Sequence, residues 1–134
     1  MERCTVCRAR LSDGPLCRRC GSDFSLVLAA QAHMHALFRE SLCLWQQGHA
    51  ATALALAGQA VMLKAEPALL AWRDYLIDHQ LHQALGLLEQ GETQQAHRLC
   101  QQILAIHPAP LVLVLRRFID DLATRTGQAI KQTT

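Results

Sequence analysis

Four cysteines near the amino terminus form two closely spaced pairs, Cys4 with Cys7 and Cys17 with Cys20. A Cys-x-x-Cys pair bends the backbone so that both sulfurs face one point, and two pairs together supply a tetrahedral set of four thiolates. The surrounding segment has few apolar residues, so a bound metal ion would have to supply most of its folding free energy. The sequence therefore predicts a closed metal site made by all four cysteines.

Zinc is the metal that this pattern favours, as one structural ion per chain. Four thiolates leave no open coordination position for a water molecule, which argues against a catalytic ion. A single iron ion of the rubredoxin kind would use the same ligands, although its two pairs are usually much further apart. An iron–sulfur cluster, a redox-active dithiol pair and a chance cluster are further alternatives.

The residues around the two pairs suit a short metal-bound loop. Asp13, Gly14 and Pro15 form a strong turn signal between the pairs. Gly21 follows the second pair, where the backbone has to take a positive φ, whereas Arg8 stands at the matching place after the first pair.

This pattern resembles the short zinc ribbons found at the amino termini of many prokaryotic proteins. The resemblance covers only residues 4 to 21, and we expect residues 1–22 to form this module. It implies metal binding more than any one function, because such modules serve as structural caps, as docking faces and as nucleic-acid contacts.

The net charge of the 134-residue chain is +2, which is too small to indicate a nucleic-acid partner. The first 22 residues carry a net charge of +3, and a zinc ion held by four thiolates would lower this to about +1. The module thus has at most a weakly basic face, which is built from five arginines: Arg3, Arg8, Arg10, Arg18 and Arg19.

The remaining sequence is rich in alanine and leucine and predicts a mainly α-helical domain over residues 23–126. Glycine and proline divide it into five predicted helices. Asp23 or Ser25 would cap the first helix, and Thr93 would cap the fourth. The predicted helices span 25–47, 50–64, 67–90, 93–106 and about 110–126, and a polar, frayed tail is expected over 127–134.

An internal repeat links the second and fourth helices. Gly48 and Gly91 lie 43 residues apart, and so do Ala53 and Ala96. Small residues continue along one face of each helix, with Ala57 and Ala60 in the first copy and with Cys100 in the second. Such faces allow a second helix to approach closely, as in a helical hairpin.

These hairpins resemble tetratricopeptide repeats, in which a glycine turn separates two antiparallel helices. Ala96, Cys100 and Pro108 match the spacing of the family's second helix, whereas Pro67 comes two residues late in the first copy. The first helix of each copy fits poorly, and the period is 43 residues where the family has 34. A five-helix bundle with coincidental repetition is the alternative.

The fifth helix begins with the continuous apolar run 111–115. The sequence predicts that Leu111, Leu115, Phe118 and Leu122 face the hairpins, which leaves Leu113 for a self-dimer or for a partner. Opposite charges four residues apart, Arg116 with Asp120 and Arg117 with Asp121, predict ion pairs within this helix.

Other candidate sites are weak. His79 and His82 share a helix face and could bind a metal only weakly, while Cys43 and Cys100 are expected to pack in the core. Trp45 and Trp72 are expected to fill the core or a groove between hairpins. No catalytic motif is found, so an enzyme is not expected.

No secretion signal or membrane-spanning stretch is found in the sequence, so we expect a cytoplasmic protein with reduced thiols. The functional hypothesis is a protein-interaction adaptor, an assembly factor or a small subunit of a larger complex. A nucleic-acid-associated regulator that uses the basic zinc ribbon is the main alternative, and metal delivery or redox sensing is a third.

Overall fold

A computed structural model describes residues 3–11 and 14–132, with side chains described as far as Arg125. The prediction of a mainly α-helical protein is confirmed. Five helices follow a short amino-terminal segment that contains the four cysteines, and the described residues include only two isolated β-bridges and no strand. The helices are α1 (Ser25–Gln46), α2 (Ala50–Leu63), α3 (Pro67–Glu89), α4 (Thr93–Ile106) and α5 (Pro110–Gln132).

The helix lengths repeat with the predicted period of 43 residues. Both α2 and α4 have 14 residues, and both α3 and α5 have 23 residues. Pro67 and Pro110 each stand at the first position of a helix, where the missing N–H is not needed. The counterpart of Pro67 is therefore Pro110 rather than Pro108, and the apparent two-residue mismatch between the copies disappears.

The turns that begin α2 and α4 are also equivalent. Gly48 and Gly91 adopt φ values of 83° and 81°, which an L-residue with a side chain rarely takes. Each glycine N–H donates to a carbonyl three residues earlier, in Trp45 at 3.0 Å and in Leu88 at 3.0 Å. Two glycines thus end α1 and α3 in the same way, as the sequence predicts.

Each helix packs against the next one along the chain, and α2 also contacts α4. The predicted small-residue faces are buried in both copies. Their side chains are fully inaccessible to solvent at Ala53, Ala57, Ala60, Ala96, Cys100 and Ile103. A Cβ atom at Gly58 would lie 2.5 Å from Cγ2 of Ile106, so the Ile106 side chain of α4 packs directly on the backbone of α2.

Two polar residues are buried in the helical body. The Ser41 hydroxyl in α1 donates to the Ala53 carbonyl at 2.7 Å and accepts from Nε1 of Trp72 at 2.9 Å, so it links α1, α2 and α3. The Gln80 amide in α3 donates to the Ala50 carbonyl at 2.9 Å, while its Oε1 has no partner among the described residues. These buried hydrogen bonds fix how the first hairpin meets the second.

The prediction of which α5 residues face the core is partly wrong. Leu115 is buried as expected, but Leu111 and Phe118 are exposed, and Val112 and Ile119 point into the core in their place. The structure has no Arg–Asp ion pair in the described part of α5, and Asp120 instead lies 3.2 Å from Nε2 of His97 in α4.

Helix ends differ slightly from the predictions. Phe24 occupies the N-cap position of α1, while Asp23 accepts a hydrogen bond from the Ser25 N–H at 2.8 Å. Glu92 occupies the N-cap position of α4, and Thr93 is its first helical residue.

At the carboxyl terminus, α5 continues to Gln132, six residues beyond the predicted boundary near 126. Of the predicted tail over 127–134, residues 133 and 134 lie outside the described part of the chain. None of the helices in the described residues has the length and hydropathy needed to cross a membrane.

Candidate metal centre

Each cysteine pair lies in a tight turn, and the two turns have matching hydrogen bonds 13 residues apart. The Cys4 N–H donates to the Ala9 carbonyl at 2.9 Å, and the Cys17 N–H donates to the Ser22 carbonyl at 2.9 Å. A second hydrogen bond in each turn ends on the carbonyl of the first cysteine. The Arg8 N–H donates to the Cys4 carbonyl at 2.9 Å, and the Gly21 N–H donates to the Cys17 carbonyl at 2.8 Å. The two turns are therefore related by an approximate internal symmetry.

The same symmetry explains why glycine follows the second pair. Gly21 has a φ of 73°, and Arg8 at the matching position of the first turn has a φ of 58°. Arg8 is the one described non-glycine residue with a positive φ. A side chain in this region costs about 1 kcal/mol relative to glycine, so the first turn is the more strained of the two.

The two turns bring all four predicted sulfurs together, as expected from the spacing. The Sγ atoms of Cys4, Cys7, Cys17 and Cys20 lie within 4.8 Å of one another. Two contacts join the turns, Cys4 with Cys20 at 3.6 Å and Cys7 with Cys17 at 3.6 Å. Four thiolates bound tetrahedrally to zinc at 2.3 Å would lie about 3.8 Å apart, which is close to these two distances, so the cluster could hold an ion of this size.

The sulfurs are not paired in disulfides, since all six cysteines are free. Backbone N–H groups point at the sulfurs, as is usual around metal-bound thiolates. The Cys7 N–H lies 3.4 Å from Sγ of Cys4, and the Cys20 N–H makes the matching contact with Cys17. Further along each turn, the Ala9 and Ser22 N–H groups contact Cys7 and Cys20.

The cysteines of the cluster have different electrostatic surroundings. Hydrogen bonds from the Ser22 hydroxyl and N–H lower the pKa of Cys20 to about 6. The N–H groups of Cys20 and Arg19 likewise lower the pKa of Cys17. The Ala9 N–H lowers the pKa of Cys7, but burial and the three neighbouring thiols outweigh it and raise the value to about 12. The thiols of Cys7, Cys17 and Cys20 therefore differ in how readily each gives up its proton.

The site is closed on one side and open on the other. Cys4 and Cys17 are buried together with Phe24, and they form a small apolar cluster with Ala9 and Leu11. Cys7 is half-buried, while Cys20 is exposed. Solvent and reagents can therefore reach the cluster through Cys20.

No other group of three or more metal-ligating side chains occurs among the described residues. His79 packs its ring edge-to-face on Trp45 at 4.5 Å, and His82 lies 3.5 Å from a carboxylate oxygen of Asp78. The weak histidine site is thus not formed. Of the two remaining cysteines, Cys100 is buried as predicted, but Cys43 is exposed, so its predicted place in the core is wrong.

An aromatic cluster between α1 and α3 was not expected from the sequence. Trp45 meets Trp72 and Tyr75 edge-to-face at 6.0 Å and 5.5 Å, and Trp72 stacks on Tyr75 at 5.5 Å. Both tryptophans and the single tyrosine of the chain are gathered here. The spacing of residues 72, 75 and 79 places them on one helix face and could have indicated this cluster. The spacing alone does not say which helix lies opposite.

The fold and the site define a class of protein, namely a mainly α-helical chain with an amino-terminal four-cysteine cluster that can hold a metal ion. Comparisons with protein-family models, with curated proteins and with solved structures each give no match.

Proposed function

We propose that this protein is a non-catalytic adaptor, in which a structural zinc ribbon is joined to tetratricopeptide-like helical hairpins that bind a partner protein. The observation that carries the proposal is an apolar stripe on α5, made by Leu111, Val114 and Phe118, with exposures of 68%, 64% and 53%. Large apolar side chains aligned on one helix face are typical of a surface that another protein covers.

A groove next to this stripe supports the same proposal. It has a volume of about 280 Å³ and lies between α3 and the beginning of α5. Ile77, Leu81 and Leu111 line its apolar part, and Arg73 with Asp74 forms an ion pair of 2.7 Å at its edge. An apolar side chain of a bound segment would fit this groove, while the charged edge would select its orientation.

The zinc part of the proposal rests on the convergence of the four sulfurs and on the amide hydrogen bonds around them. The test is elemental analysis of protein purified without added metal. We expect zinc at close to one per chain and little iron. A protein with iron at one per chain would keep the metal site but change its metal, and a protein with neither would remove the metal centre.

The docking part of the proposal is tested by changing the stripe. We expect the double variant Val114→Ser, Phe118→Ser to lose a partner that the wild-type protein retains in affinity capture from its own cells. The matched control is Met62→Ser, because Met62 is 88% exposed but lies on α2. A partner bound equally by both variants would show that the stripe is not the docking surface.

The stripe on α5 could bind a second copy of this chain in place of a different partner protein, so self-association is measured first. Light scattering across a concentration series tells a monomer from a homodimer. A dimer that the double variant turns into a monomer would assign the stripe to a second copy of this chain, in agreement with the apolar character of homodimer interfaces.

Nucleic-acid binding by the ribbon is the second candidate. Arg3, Arg8, Arg10, Arg18 and Arg19 are all exposed, and none of them forms an ion pair within the described residues. Phosphate contacts weaken steeply with salt, whereas an apolar surface does not. Binding to single-stranded or duplex DNA that falls several-fold between 50 and 200 mM salt would favour this candidate, by the usual salt dependence.

A further inference from the structure

The approximate symmetry of the two cysteine turns is broken by one hydrogen bond. The Ser22 hydroxyl lies 3.1 Å from Sγ of Cys20. At the matching place in the first turn stands Ala9, which has no side-chain donor for Cys7. The backbone N–H contacts are present in both turns, so the hydroxyl is an addition to the second turn alone.

This added donor sits on the ligand that is most open to solvent. Cys20 is exposed, Cys7 is half-buried, and Cys4 and Cys17 are buried. A reagent that attacks the metal centre, whether an electrophile or a competing chelator, therefore meets Cys20 first. Attack needs a free lone pair on this sulfur, because the thiolate is the reacting form.

We propose that Ser22 is a positioning residue of the metal centre, whose hydroxyl donates to the Cys20 thiolate and protects this open ligand from attack. The inference rests on the proposed metal site. The hydrogen bond occupies one sulfur lone pair and withdraws electron density, as outer-shell donors do around metal ligands. It also holds the Cys20 side chain in its ligating position, so that the thiolate dissociates less often.

The test follows the alkylation of each cysteine in zinc-loaded protein by iodoacetamide, with mass spectrometry of the digested protein. In this reaction the thiolate sulfur forms a bond to the CH₂ carbon while the carbon–iodine bond breaks and iodide leaves. The exposed Cys43, which lies outside the site, serves as the internal reference in the same sample.

We expect Ser22→Ala to raise the alkylation rate of Cys20 by about threefold to tenfold relative to Cys43, as the loss of one such hydrogen bond predicts. Transfer of zinc to a chelator should accelerate by a similar factor. Ser22→Thr retains the hydroxyl and should restore the wild-type rate. The reverse exchange, Ala9→Ser, should slow alkylation of Cys7, and it tests the inference without altering the second turn.

Zinc content is measured on every variant before alkylation. If the wild-type protein holds no metal, the proposed metal site fails and the role of Ser22 fails with it. If the wild-type protein and Ser22→Ala each hold one zinc per chain but alkylate Cys20 at equal rates, the role of Ser22 alone is overturned. If Ser22→Ala binds no zinc, the inference is tested by Ala9→Ser instead. A Cys7 alkylation rate equal to that of the wild-type protein would then overturn the inference, and a slower rate would support it.

Discussion

The cysteine module and the helical body are held together by different interactions. The described core of the module is little more than Cys4, Cys17 and Phe24, whereas the body buries a continuous set of apolar side chains from α2 to α5. The module gathers four sulfurs that can hold a metal ion, whereas the body is held by close packing of many side chains. A short segment can thus be ordered beside a larger domain without sharing its core, and the two should respond to different perturbations.

The largest expected effect is loss of the ion. Cys17→Ser removes a buried thiolate from the cluster. The binding free energy of structural zinc is on the order of 10 kcal/mol, so losing a ligand should leave the module largely unfolded. We expect metal content to fall toward zero while the helical circular dichroism remains. Cys43→Ser is the control, and it should keep the metal; a Cys17→Ser protein that also keeps one ion per chain would contradict the proposed ligand set.

The helical body should show the opposite response. Ile103→Ala leaves a cavity at a fully buried position and should lower the free energy of unfolding by about 2–5 kcal/mol. Urea denaturation followed by circular dichroism measures this change, and Met62→Ala on the exposed surface should be nearly neutral. The metal content should not change. A coupled loss of metal would show that the two regions are not independent.

Within the helical body, replacing Ser41 should lower the free energy of unfolding by more than the small size of its side chain suggests. Ser41→Ala leaves the Trp72 N–H without its acceptor, while the Ala53 carbonyl keeps its bond within α2, and the lost pairing should cost about 1–3 kcal/mol. Trp72→Phe removes the same N–H. If the hydrogen bond is the cause, the double variant should be less destabilised than the sum of the single variants, as a double-mutant cycle would measure. Additive effects would assign the losses to packing instead.

Within the module, the two turns allow a matched test of backbone strain. Arg8→Gly should relieve the cost of a side chain at φ 58° and strengthen metal binding by about 1 kcal/mol. Gly21→Ala should weaken it by a similar amount, because Gly21 has a φ of 73°. Competition with a chromophoric chelator gives both affinities. Equal affinities in the two variants would mean that the turns tolerate side chains equally.

The smallest effect should come from two helical glycines. Gly86→Ala meets no atom within 4 Å and should stabilise the protein by up to about 1 kcal/mol through helix propensity. Gly58→Ala should destabilise it, because the new Cβ would lie 2.5 Å from Cγ2 of Ile106. Thermal unfolding measures both changes, with a higher midpoint temperature expected for Gly86→Ala and a lower one for Gly58→Ala. Combining Gly58→Ala with Ile106→Ala should recover part of the loss, and no recovery would locate the clash elsewhere.

The helix positions and the convergence of the four cysteines could be predicted because their signals are local. Glycine at positions 48 and 91 and proline at positions 67 and 110 end or begin helices through their own backbone preferences. The cysteine spacing predicts that the sulfurs converge, because few turns close over two intervening residues. The 43-residue period then relates the two hairpins without any knowledge of their packing.

The orientation of α5 could not be predicted in the same way. Residues 111–115 are all apolar, so several different faces of the helix are equally apolar, and only packing in the folded core selects Val112, Leu115 and Ile119. The burial of Ser41 and Gln80 is a tertiary effect of the same kind. The hydrogen bond from Ser22 to Cys20 depends on the rotamer of one side chain, and no sequence spacing encodes it.

The close approach of α2 to α4 has a mechanical consequence. Gly58 has no side chain, so the Ile106 side chain of α4 packs directly on the α2 backbone, and the close packing of these atoms leaves little room for either helix to move toward the other. This contact should therefore hold α2 and α4 at a fixed separation, and the two hairpins should keep the same relative placement when other side chains change rotamer.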